Sequence, residues 1–225
     1  MSDQEHLAQR SEDLIAALAG SARPVKPLSP PLLRAAIWLG LAIAVVAVSV
    51  AFHGVNDDLL ADLSQPLNLL EWLAALATGI GAIVAAFHLS LPDRSPRWAL
   101  LALLPAGLWL AIVGFGCLVD LAAMGAAAFA WGEPWLCFLY ITQMGVPLTL
   151  VTLIMLRYAG PIRPLRTMVM AALGMSGLSA AGLTFFHPEH TAWLGLIWHG
   201  AALAVVLACG ALGAALLRAL YVRRV

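Results

Sequence analysis

Cys117, Cys137, His187 and His190 are the residues of this 225-residue chain best suited to ligand chemistry, and all four fall at the margins of long apolar runs. Thiolate and imidazole together suit soft or borderline cations such as zinc, cadmium and copper. A thiol on the oxidising side of a membrane is also open to oxidation. His53, Asp120, Glu133 and Glu189 lie at the same depth relative to the apolar runs. The competing reading is that Cys117 and Cys137 are small apolar packers beside solvated histidines, and residue types leave the two open. Cys209, deep in the last apolar run, reads as a packing residue. No obligatory cofactor is implied; zinc, cadmium or copper would bind transiently.

Other chemistries lack their residues. The chain has no P-loop, HExxH, CxxC or nucleophile elbow, and the HPEH at 187–190 is broken by Pro188 with its glutamate misplaced. A non-enzyme is expected. Transporters generally place ionisable groups at the membrane midplane, and the apolar runs here hold almost none there. Glu71 and His88 fall near the ends of one run. His199, about two turns into the last run, is the histidine expected to be buried, as a neutral imidazole bonded to a neighbouring helix.

The elements that must position these groups are membrane helices. Hydrophobic residues make up 62% of the chain, charged residues 11%, and mean hydropathy is +0.92. Crossing about 30 Å of hydrocarbon takes roughly 20 apolar residues. Six runs meet that need, near 35–52, 69–90, 98–119, 134–156, 167–186 and 192–217. None alternates with period two, so the expected fold is all-α: a polytopic bundle of six transmembrane helices rather than a barrel. Gly/Ala-rich stretches (GIGAIVAA, GLSAAGL, CGALGAAL) read as close-packing faces, and Pro105 and Pro147 as kinks.

Charge sets the orientation, because cytoplasmic loops retain Lys and Arg. All 12 basic residues fall on one side: Arg10, Arg23, Lys26, Arg34, Arg94, Arg97, Arg157, Arg163, Arg166, Arg218, Arg223 and Arg224. The connections at 53–68, 120–133 and 187–191 carry acids instead. Both termini are therefore expected in the cytoplasm, with the Cys/His cluster on the outer side. A cleaved signal peptide is disfavoured, since 33 residues containing Asp3, Glu5, Glu12 and Asp13 precede the first run.

Those residues divide the chain into an arm, 1–33, and a transmembrane domain, 34–225. Leu7, Leu14, Ile15 and Leu18 recur at i, i+7, i+8 and i+11, which places them on one face of a short amphipathic helix ending at Gly20. Pro24, Pro27, Pro30 and Pro31 then hold the chain extended. An isolated helix of this length needs its apolar stripe covered. The membrane surface is one cover, but acids facing an anionic leaflet are repelled, which favours a protein partner.

The stretch EDLIAALAGSARPVKPLSPPLLRAAIWL at 12–39 resembles the opening of the NrsF family, negative regulators of the sigma-F extracytoplasmic-function sigma factor. Further similar stretches are PWLCFLYI at 134–141, LRYAGPIRP at 156–164, GLSAAGLTFFHPEH at 177–190 and LGLIWHG at 194–200. The resemblance implies a membrane anti-sigma factor in the bacterial inner membrane. Its cytoplasmic arm holds the sigma factor and releases it when the outer side senses heavy-metal or oxidative stress, without direct contact to nucleic acid. Leu7, Leu14, Ile15 and Leu18 would bury in the partner, with Arg23 and Lys26 at the edge. Members of the family carry a cysteine where Cys137 stands and a second one in HCPE, a position held here by His187 in FHPE. Imidazole can ligate a metal but cannot form a disulfide, so metal ligation by Cys137 and His187, helped by Cys117 and His190, survives the change. A Cys117–Cys137 pairing is left open. The alternative function is a small membrane subunit or small-molecule permease with no sigma-factor partner.

Overall fold

The computed structural model describes residues 3–21, 27–129, 135–156, 164–186 and 192–222, and among them there is helix and connection but no strand. The helices are α1 (Asp3–Ser21), α2 (Pro31–His53), the short α3 (Leu59–Ser64), α4 (Pro66–Leu89), α5 (Leu100–Met124), α6 (Trp135–Leu156), α7 (Pro164–Leu183) and α8 (Ala192–Val222). One turn of 3₁₀ helix precedes α5 and another follows it. Prolines mark the starts of α2 and α4, where the missing N–H costs nothing because a helix's first amides have no internal partner.

By length and composition, Pro31–His53, Pro66–Leu89, Pro96–Ala127 and Phe138–Leu156 can cross a membrane. Two further runs expected to cross, α7 and α8, form helices but fall outside that set. In α7 the reason is visible in its packing. It touches α2, α4, α6 and α8, and Thr167, Ser176 and Ser179 are buried against those neighbours. A helix surrounded by protein can carry hydroxyls that lipid would not tolerate. The described apolar stretch of α8 covers Leu196–Cys209.

The tightest junction is between α4 and α7, and glycine makes it possible. A methyl group added at Gly177 would run into the Ala75 carbonyl and the backbone of Gly79, and one at Gly174 would meet Ile83. The Gly/Ala-rich stretches thus act as close-packing faces. Gly81 of α4 lies against the carbonyl of Leu101 on α5 in the same way. Pro105, inside α5, has no N–H to bond that carbonyl, so the oxygen that proline frees is the one the neighbouring backbone approaches.

Contacts sort the helix ends into two groups. At the arm end, near the start of α2, Arg34 and Trp38 are buried. The Arg34 guanidinium donates from Nη2 to the Met155 carbonyl of α6 and stands 4.8 Å over the Phe87 ring of α4. Trp38 Nε1 donates to Thr152 Oγ1 at 2.8 Å, and that hydroxyl in turn donates to the Leu148 carbonyl. At the opposite end, the far end, α2 stops at Gly54, whose φ of +84° is a conformation that side chains other than glycine rarely adopt. There Asn56 N–H donates to the Phe185 carbonyl just beyond α7, and Trp72 Nε1 of α4 donates to Ala181 O.

Candidate functional site

Two regions carry the residues singled out by type. The first is α1. Every residue from Glu5 to Ser21 is exposed, including Leu7, Leu14, Ile15 and Leu18 at 60–65%. The four share one face, as their spacing requires, and the bundle does not cover it. Gly20 does not end the helix as expected. The helix runs on to Ser21, whose hydroxyl turns back to the Leu18 carbonyl at 3.0 Å. Arg23 and Lys26 lie outside the described residues.

The second region is the far end. His187 and His190 lie outside the described residues, as does the side chain of Cys137, although its backbone belongs to the first turn of α6. Cys117 is half-buried near the end of α5, and its thiol forms no disulfide among the described residues. Asp120 follows it by one turn on α5. Among the described residues α5 packs on α4 and α8, whereas α6 packs on α2, α7 and α8. The described residues contain no group of three or more His, Cys, Asp or Glu side chains arranged to hold a metal ion.

What the fold brings together at the far end is a set of rings. The His53 imidazole, in the last turn of α2, meets Tyr140 of α6 edge-on at 4.6 Å and stacks on Phe186 at 5.4 Å. Tyr140 and Phe186 meet each other at 5.3 Å. Beneath them Ile141, Met144, Leu183 and Ala202 form a buried apolar floor. Tyr140 is three residues from Cys137 on α6, and Phe186 directly precedes His187. The sequence places His53 at this depth, but its ring partners, 87 and 133 residues away, carry no local signal.

Two other residues differ from expectation. Cys209 is exposed on α8 rather than packed, because a membrane helix shows the same apolar character to lipid and to protein. His199 is only partly buried and meets Trp109 of α5 edge-on, whereas His88 is 5% exposed and stacked flat on Trp98 at 3.7 Å. Among the described residues, neither ring nitrogen of His88 has a hydrogen-bond partner.

A family model described as NrsF, negative regulator of sigma F, matches residues 18–219. The match covers the bundle as far as residue 219, near the end of α8, but begins at Leu18, so Leu7, Leu14 and Ile15 precede it. No curated protein and no solved structure gives a significant match.

Proposed function

The chain belongs to the NrsF family of negative regulators of sigma F, and from that premise we propose a membrane anti-sigma factor in which α1 captures an extracytoplasmic-function sigma factor. The family's description, negative regulation of sigma F, supports a regulatory role. Six crossings of the bacterial inner membrane, with both termini in the cytoplasm, would put α1 on the partner's side and the far end outside. The one-sided distribution of the 12 basic residues supports that topology.

The observation that carries the proposal is the bare apolar face of α1. Leucine and isoleucine side chains displayed together on an amphipathic helix fit a hydrophobic groove between helices of a partner. Arg23 and Lys26 would add polar contacts at the rim of that groove. At the far end, Cys137 and His187, with Cys117 and His190 as auxiliary groups, would bind a soft or borderline cation or be oxidised. The choice between two bundle arrangements would then govern the hold on the sigma factor.

The test is co-purification of the sigma factor with chains lacking residues 1–20. Loss of capture is expected; capture equal to that of the full chain would discard α1 as the binding element. For the far end, a reporter of sigma-factor activity should lose its induction by cadmium or an oxidant in a Cys137→Ala, His187→Ala double variant. Unchanged induction would discard the site.

A further inference from the structure

We propose that a groove at the start of α5 holds an anionic phospholipid of the leaflet on the arm side, its phosphate on Arg97 and one acyl chain along Leu100, Leu101 and Leu104. The groove lies at the arm end, where α4 finishes beside Arg34. It has a volume of about 610 Å³, and its lining changes character along its length. Ser95, Arg97 and Trp98, in the connection from α4 and the 3₁₀ turn that follows, form the polar end. The three leucines and Pro105 form the apolar end, and the leucines are exposed, Leu104 at 73%. At about 1.5–2 Å per residue, the steps from Arg97 to Pro105 rise about 12–16 Å, close to the roughly 15 Å of hydrocarbon in one leaflet. These residues belong to a stretch, Pro96–Ala127, long and apolar enough to cross a membrane, and lipid binding there does not depend on what α1 captures.

Charge selects the occupant. Asp93 is engaged by Arg94 at 3.5 Å, and Arg97 has no ion pair among the described residues. A guanidinium at the membrane boundary with no acid beside it offers its planar fork of donors to a phosphate. The Ser95 hydroxyl accepts from the Arg97 amide at 3.3 Å and keeps its own hydrogen to donate. A soluble anion would use only this polar end, whereas a phospholipid matches both ends at once. A second copy docked symmetrically would bring Arg97 toward its own equivalent, setting like charges together. The walls are fixed without a ligand. His88 of α4 is buried and stacks flat on Trp98 at 3.7 Å, and Gly81 lets the Leu101 backbone lie directly on α4. A groove already shaped for its occupant loses little conformational freedom on binding.

The test is native mass spectrometry of the full chain released from detergent micelles, after titration with phosphatidylglycerol, with phosphatidylcholine of the same acyl chains, and with inorganic phosphate. The parent chain should hold one phosphatidylglycerol about fivefold or more tighter than phosphatidylcholine. Arg97→Gln should abolish that preference. Leu104→Trp, which fills the groove from an exposed position, should weaken both lipids about tenfold. Neither should move the thermal midpoint of the delipidated chain. Arg94 is not part of the lining, so Arg94→Gln should keep the preference. Equal affinity of the parent for the two lipids, or an unchanged preference in Arg97→Gln, would overturn the proposal. So would displacement of phosphatidylglycerol by inorganic phosphate together with parent-like binding in Leu104→Trp, the mark of an anion site alone. A delipidated parent dimer that Leu104→Trp dissociates would give the groove to a second copy and overturn it as well.

Discussion

At its arm end α2 is fixed by directional bonds in a dry interior, whereas at its far end it rests on ring faces around an exposed imidazole. Arg34 and Trp38 each reach α6 through a hydrogen bond in which the donor is buried. His53 reaches Tyr140 of α6 and Phe186 just beyond α7 through aromatic contacts, helped by a backbone bond from Asn56 to Phe185. The difference matters energetically. Breaking a buried polar pair leaves a desolvated group without a partner, whereas changing an aromatic contact at a rim costs only part of its packing. The first arrangement tolerates one geometry; the second can admit a ligand or yield to one.

The contrast predicts a graded set of stability losses, each measurable as a shift in unfolding midpoint in micelles. Arg34→Ala should cost most, about 2–3 kcal/mol, since it strands the Met155 carbonyl and removes the cation above Phe87. Arg34→Lys should recover only part, because an ammonium lacks the planar fork. Trp38→Phe should cost about 1–1.5 kcal/mol, and its effect should largely vanish in a Thr152→Val background, where the acceptor is already gone. Phe186→Leu at the far end should cost about 0.5–1 kcal/mol. If it matched Arg34→Ala, the contrast between the ends would fail. Smallest of all, Leu14→Ser with Ile15→Ser should leave bundle stability within about 0.5 kcal/mol while weakening sigma-factor capture, because both side chains are already exposed.

The helices were legible because apolar runs, prolines and arginine clusters punctuate the chain; α2, α4, α5 and α6 begin and end within a few residues of the expected runs. Which face of each helix meets protein was not legible. Lipid and core are equally apolar, so nothing local told that His88 would be buried flat against Trp98 or that Cys209 would be exposed. The glycine-rich composition announced close packing, yet pairing Gly177 with Gly79 required the fold. For the site, residue type nominated Cys117 and Cys137 and depth placed His53 with them, but the rings that hold His53, Tyr140 and Phe186, come together only in the fold.

The clasp at Arg34 and Trp38 also divides α2 unequally. At 1.5 Å per residue, about 25 Å of helix separates the midpoint of the clasp from His53, and only about 8 Å separates it from Pro31. A rod with its fulcrum there delivers sideways travel from the long side to the short one in reverse and about threefold reduced, yet passes on any tilt undiminished. Whatever hangs from Pro30 and Pro31 is therefore steered by angle far more than by distance.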